Sequence, residues 1–116
     1  MHLAATILSV LLALLMAATG SMKVLNTSTA QKNSRHLGYS TGLSRLIGLA
    51  ELAATAGLLI GIAWHPLTLV TAAAVVALMV GAVTYHVRAG DDARALAPAV
   101  ITAAAAGALV ILSIPR

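Results

Sequence analysis

The sequence predicts an all-α integral membrane protein, a four-helix bundle with an antiparallel up-down-up-down arrangement. Hydrophobic residues make up 60% of the 116 residues and charged residues only 9%, whereas a soluble domain carries about a quarter charged residues. Four apolar runs are each close to the roughly 20 residues that a helix needs to cross about 30 Å of hydrocarbon. Two of the three links between these runs are very short, which forces the helices that they join to be antiparallel neighbours.

The apolar runs define four helices in a single transmembrane domain that covers residues 1–116. Pro66 opens the third helix, where its missing amide hydrogen does no harm. Pro98 allows two starts for the fourth helix, near Ala97 or at Asp92 with a mild kink. We favour the earlier start because aspartates suit a helix N-terminus. The predicted helices cover about 3–22, 43–63, 66–87 and 95–114.

The first two helices are joined by a longer polar stretch, Asn26 to Gly42. Within it, Thr27 to Leu37 can form a short surface helix that Gly38 caps. This segment carries Lys32 and Arg35, so we expect it to lie in the lipid headgroup layer.

The positive charges predict how the chain is oriented in the membrane. The net charge of +4 is spread over loops between apolar runs, which indicates anionic lipid headgroups and not nucleic acid. The face opposite the termini holds six positive side chains, whereas the other face holds only Arg116 and the terminal amine. Both termini should therefore be on the non-cytoplasmic side. The six are Lys23, Lys32, Arg35, Arg45, Arg88 and Arg94, of which Lys32, Arg35, Arg45 and Arg88 are expected to contact lipid headgroups.

Glu51 is the residue that the composition does not explain. It lies well inside the hydrocarbon, where a carboxylate costs at least about 2.5 kcal/mol unless it is paired or protonated. Ser44, Gly48, Glu51 and Thr55 recur at helical spacing, so they form one stripe, which must face the bundle.

The partners expected for Glu51 lie at the same depth on neighbouring helices: Lys23, Tyr85, His86 and Arg88. Two interpretations stay open. Glu51, Lys23 and His86, with Tyr85, Ser44 and Thr55, can line a polar site for a quinone headgroup, a lipid headgroup or a proton. Alternatively, Glu51 and Lys23 form a structural ion pair that fixes how the helices pack.

The sequence also limits the chemistry and the contacts of the chain. It contains no cysteine, which excludes disulfides and thiolate metal sites. No metal-spacing motif appears, and the histidines divide between two faces, His2 with His65 and His36 with His86. We therefore predict no metal and no cofactor other than a quinone. Gly57 and Gly61 indicate close helix packing, within the chain or in a homo-oligomer through small-residue faces.

Six short motifs follow one another along nearly the whole chain: Gly20-x-x-Lys23, Leu46-Ile47-Gly48-Leu49-Ala50-Glu51-Leu52, Gly57-Leu58-Leu59, Pro66, Met79-Val80-Gly81-Ala82 and His86-x-Arg88-x-Gly90-Asp91. With these motifs in this order, the chain resembles the DoxX-like family of small bacterial four-helix membrane proteins. The resemblance implies a bundle in the bacterial inner membrane. It also implies a link to membrane oxidoreductase systems, including quinone-coupled sulfur oxidation and oxidative-stress complexes, with other oxidoreductase subunits as partners.

Three functions follow as hypotheses. The leading one is a membrane subunit of a redox or stress-response system with a quinone or proton site at Glu51, Lys23 and His86. The second is an oligomeric component of a small-solute transporter or channel, since four short helices are too few for the repeats of most transporters. The third is a purely structural or assembly protein.

Overall fold

The computed structural model describes residues 3–115, and within them it consists of five helices and no strands. Four of the helices are long and apolar enough to cross a membrane, so the predicted all-α class and the four long apolar helices are confirmed. The predictions for His2, Arg116 and the terminal amine lie outside the described residues. The helices are α1 (Leu3–Val24), α2 (Ser28–Leu37), α3 (Thr41–Gly61), α4 (His65–Arg88) and α5 (Ala93–Ser113).

The short surface helix between the first two apolar runs is present as α2. The Thr27 hydroxyl accepts a hydrogen bond from the Ala30 amide at its start, and Gly38 ends it in the left-handed region with φ +80°. A left-handed residue costs glycine little, which explains a glycine at this position. Ala30 and Ser34, two residues of α2, are buried, so one side of this polar helix packs on the bundle.

The ends of α3 differ from the sequence prediction by two residues each. The helix begins at Thr41 because the Ser40 side chain accepts a hydrogen bond from the Leu43 amide, which caps it earlier than the apolar run begins. It ends at Gly61, after which the Ala63 and Trp64 amides each donate a hydrogen bond to the carbonyl three residues earlier. This tight turn leads directly into α4, in which Pro66 lies in the first turn as predicted.

The earlier start of the last helix is confirmed. Asp92 caps α5, and its carboxylate accepts a hydrogen bond of 3.1 Å from the Ala95 amide. Pro98 lies inside the helix and removes one backbone donor. The Thr102 hydroxyl donates to the Pro98 carbonyl at 2.7 Å.

The four long helices form a ring in which α1 packs on α3, α3 on α4, α4 on α5 and α5 on α1. α2 contacts α1, α3 and α4, and we call this end of the bundle the α2 end. The buried core includes Leu12, Met16, Leu58, Val75 and Leu109. Large apolar side chains are exposed along all four long helices, which is the pattern expected of surfaces that contact lipid.

Candidate functional site

The site begins with the close approach of α1 and α3 at two glycines. A Cβ atom on Gly20 would lie 2.8 Å from the Gly48 carbonyl oxygen, and a Cβ atom on Gly48 would lie 2.7 Å from the Lys23 Cβ. Any side chain at these positions would push the helices apart. The glycines therefore bring Lys23, one turn beyond Gly20, against the face of α3 that carries Glu51.

Glu51 is 2% exposed, and each of its carboxylate oxygens has a partner. The Lys23 ammonium donates to Oε1 and forms a salt bridge, while the Thr19 hydroxyl donates to Oε2. Lys23 is 20% exposed, so its long side chain reaches from the end of α1 to the buried carboxylate. The negative charge inside the bundle is therefore compensated, and Lys23 is the predicted partner that pairs with it.

The predicted polar stripe on α3 does face the bundle. Ser44, Gly48 and Glu51 are buried, and Thr55 is partly buried. The single proton of the Thr55 hydroxyl is shared between the Ala13 carbonyl of α1 at 3.1 Å and the Glu51 carbonyl at 3.2 Å. The Ser44 hydroxyl has no hydrogen-bond partner among residues 3–115. Neither Ser44 nor Thr55 lines the pocket described next.

A pocket of about 580 Å³ lies between α3 and α4 at the α2 end. Glu51 and Lys23 form part of its wall, together with two other predicted residues, Tyr85 and His86. Most of the remaining wall is apolar. The lining residues are Lys23, Asn33, Leu37, Tyr39, Leu43, Ile47, Glu51, Ala74, Ala77, Leu78, Met79, Gly81, Ala82, Tyr85 and His86.

The pocket lies where the spacing of α3 and α4 widens. The two helices are in close contact at the end far from α2, where a Cβ atom on Gly61 would lie 2.9 Å from the Thr68 amide nitrogen. Toward α2 they leave the pocket between them, and its wall includes Ala74 and Ala77, which are exposed residues in the middle of α4. The pocket therefore extends to the depth of the apolar spans. The contact at Gly61, and a similar one between Gly57 and Thr71, confirm packing of this glycine pair within the chain.

Two tyrosines, Tyr39 and Tyr85, line the polar end of the pocket together with Lys23 and His86. The rings of Tyr39 and Tyr85 are 5.1 Å apart and meet edge to face, a favourable aromatic geometry. Burial, followed by the nearby charge of Glu51 and by Tyr85, raises the pKa of Tyr39 above its usual value. Tyr39 therefore stays a neutral hydroxyl that can donate or accept. The sequence analysis missed this residue, which lies in the connection between α2 and α3.

His86 and His36 bind the two oxygens of one carboxylate, that of Asp91. His86 Nδ1 lies 2.6 Å from Oδ2, and His36 Nε2 lies 2.7 Å from Oδ1. Hydrogen bonds from His86 and His36 lower the pKa of Asp91, so the carboxylate stays ionised. Through these two hydrogen bonds Asp91 joins α2 to the end of α4. This role was not predicted from the sequence, where both aspartates fit the start of the last helix. Only Asp92 caps that helix.

The basic residues expected to contact lipid lie outside this pocket. Lys32, Arg35, Arg45 and Arg88 are exposed, and their contact with headgroups stays a prediction. Within residues 3–115, no group of three or more His, Asp or Glu side chains is arranged to hold a metal ion.

Comparison with known proteins gives one match. The model of the DoxX-like family matches residues 7–108, which include all four long helices in whole or in large part. Neither the curated proteins nor the solved structures give a match to this chain.

Proposed function

Because this chain belongs to the DoxX-like family, we propose that it is a membrane component of a redox or oxidative-stress system and that the pocket between α3 and α4 binds the ring of a quinone. The observation that carries the proposal is the pocket itself. Its volume of about 580 Å³ lies within the range of roughly 300 to 1,000 Å³ that is typical of small-molecule sites. Its apolar wall suits a ring and tail, and its polar end offers hydrogen bonds.

The charges of the site favour a neutral ligand. Lys23 and Glu51 already compensate each other, and the pocket offers the further polar groups of Asn33, Tyr39, Tyr85 and His86. A lipid phosphate would have to compete with Glu51 for Lys23. A quinone ring can use these other hydrogen-bonding groups and leave the buried pair intact.

The chain has no cysteine, so it cannot take part in electron transfer through a thiol. We assign the redox centre to a partner, another subunit of a membrane oxidoreductase, and quinone binding to this chain. The family resemblance supports such a partner.

We further propose that the protein resides in the bacterial inner membrane as an up-down-up-down bundle with both termini on the non-cytoplasmic side. The excess of positive charge at the α2 end supports this orientation. The contacts of Gly57 with Thr71 and of Gly61 with Thr68 support α3 and α4 as antiparallel neighbours.

A glycine in the pocket wall allows the quinone proposal to be tested. A Cβ atom on Gly81 meets nothing within 4 Å, and Gly81 is one of the residues that line the pocket. Gly81→Leu should therefore fill the pocket without disturbing the helices. Gly107 on α5 has the same free space and does not line the pocket, so Gly107→Leu is the matched control.

The measurement is thermal unfolding in detergent with and without a decyl-substituted benzoquinone. The wild type and Gly107→Leu should gain stability with ligand, about 2.7 kcal/mol at a hundredfold excess over the dissociation constant. Gly81→Leu should gain little or nothing. Absence of stabilisation in the wild type, or equal stabilisation of both variants, would contradict binding in this pocket.

The structural interpretation of Glu51 is a second candidate that one observation favours. Both carboxylate oxygens already have protein partners in Lys23 and Thr19, as a packing device requires. The pair would then serve assembly of the bundle, and the pocket would need other residues for any ligand.

A further inference from the structure

Asp91 determines which nitrogen of His86 carries a proton. A carboxylate only accepts hydrogen bonds, and Asp91 Oδ2 lies 2.6 Å from His86 Nδ1, so Nδ1 must donate. In a neutral imidazole the other nitrogen, Nε2, is then an acceptor. The lowered pKa of Asp91 agrees with a carboxylate that accepts from both histidines.

His86 lines the pocket, and its Nδ1 is already engaged by Asp91. Among residues 3–115, Nε2 is the polar atom of this ring that has no hydrogen bond of its own. A ligand that contacts Nε2 of the neutral ring therefore meets a nitrogen that only accepts, whereas both nitrogens of the protonated ring donate. The hydroxyls of Tyr39 and Tyr85 differ from it, since a hydroxyl can rotate to donate or to accept.

We propose that Asp91 is a positioning residue that presents His86 Nε2 to the pocket as a hydrogen-bond acceptor, so that the pocket prefers a hydroquinone to the corresponding quinone. This inference rests on the proposed function, because it concerns the ligand of the same pocket. The two forms share their ring and tail but differ in one respect: a hydroquinone oxygen donates and accepts, whereas a quinone oxygen only accepts.

The other donors of the pocket do not reverse this preference. The Lys23 ammonium has three donors and no acceptor, and its salt bridge to Glu51 occupies one of them. Both forms of the ligand can accept from Lys23. Only the hydroquinone can also donate to His86 Nε2. Asn33 and the two tyrosines, which can donate and accept, are left in place when Asp91 is replaced, so a change in selectivity on replacing Asp91 reports on His86.

His36 provides a matched control. It binds Asp91 Oδ1 from α2, is 55% exposed and does not line the pocket. His36→Gln removes a partner of Asp91 but leaves the hydrogen bond between Asp91 and His86. Asp91→Ala removes both hydrogen bonds and frees the His86 ring to take its other tautomer.

The experiment compares the affinities of decyl-substituted benzoquinone, its hydroquinone and the dimethyl ether of that hydroquinone, measured without oxygen on the purified protein. The wild type and His36→Gln should bind the hydroquinone about tenfold more tightly than the quinone, the effect of one hydrogen bond in a buried site. The ether, which cannot donate, should bind no better than the quinone. In Asp91→Ala the ratio should fall.

A loss of folded protein changes both affinities alike, so the ratio separates orientation of His86 from simple destabilisation. Equal binding of the two forms by the wild type, or an unchanged ratio in Asp91→Ala, would overturn the inference while the proposed function stands. If neither form binds, both proposals fail. The ¹⁵N spectrum of histidine-labelled wild type is independent of ligand and variant: Nδ1 of His86 should carry the proton, and a proton on Nε2, with or without one on Nδ1, would refute the assignment.

Discussion

Glu51 is the residue at which the two interpretations of the site make different predictions. Its carboxylate is buried with an ammonium and a hydroxyl as partners. Burying two charges costs about as much as their attraction returns, so an ion pair of this kind adds little net stability. Removing one member of the pair leaves the other uncompensated, and that loss is what a measurement can detect.

If the pair is structural, Glu51→Gln alone should destabilise the bundle. Breaking a buried pair typically costs about 3 to 5 kcal/mol, and we expect less here because Lys23 is 20% exposed. The double variant Glu51→Gln, Lys23→Met should recover much of the loss. Thermal unfolding of the wild type, both single variants and the double variant in one detergent measures the coupling energy. Coupling near zero together with a more stable Glu51→Gln would instead indicate a carboxylate kept for ligand or proton binding.

The importance of Glu51 and Lys23 could be predicted from the sequence because it depends on local spacing and on depth in the membrane. Thr19 and Tyr39 were not predicted, since their contacts depend on how the helices rotate against each other. The bond from His36 to Asp91 spans 55 positions of the chain. Nothing in the local pattern of either residue indicates it.

The contact between α1 and α3 is the element-level feature on which the site depends. Gly20 and Gly48 face each other across it, and the Cβ positions of both are blocked by the opposite helix. Lipid offers no hydrophobic force that would hold helices together, so this close backbone approach is a main source of their association. The apolar runs of the sequence predicted the long helices. The start of α3, however, depends on the cap at Ser40, and the length of the apolar run does not show where that cap lies.

Gly48→Ala should destabilise the bundle by about 1 to 3 kcal/mol, as overpacking typically does, because the new methyl group meets Lys23 and the Gly20 carbonyl. Gly107→Ala is the control: its Cβ has open space, so the change should be neutral or stabilising by up to about 1 kcal/mol. Chemical or thermal unfolding in the same detergent compares the two. Equal stabilities would show that α1 and α3 separate easily and that their close contact is not needed.

The whole molecule combines a ring of helices with a pocket between two of them. α3 and α4 meet closely near Gly61 and leave the pocket between them toward α2. α5 contributes no residue to the pocket, so its role here is to pack against α1 and α4. The four spans could be predicted from composition, whereas the pocket could not, because it arises from the different spacing of one helix pair along its length.

The orientation of the molecule can be tested with reporter fusions. Alkaline phosphatase fused after Arg116 should be active, because the charge bias places this end outside the cytoplasm. The same reporter fused in the connection after Arg88 should be inactive and provides the matched control. The reverse pattern would overturn the orientation and leave the four long helices unaffected.

The depth of the pocket within the apolar spans changes which concentration governs its occupancy. For a ligand that arrives between the acyl chains, the relevant concentration is its mole fraction in the bilayer. Such a ligand reaches the site by diffusion in two dimensions. Transfer of a decyl tail from water into lipid contributes on the order of 8 kcal/mol before the protein is met. The pocket then has to recognise only the ring. A weak affinity, expressed relative to the mole fraction of ligand in the bilayer, is therefore enough to keep the pocket occupied.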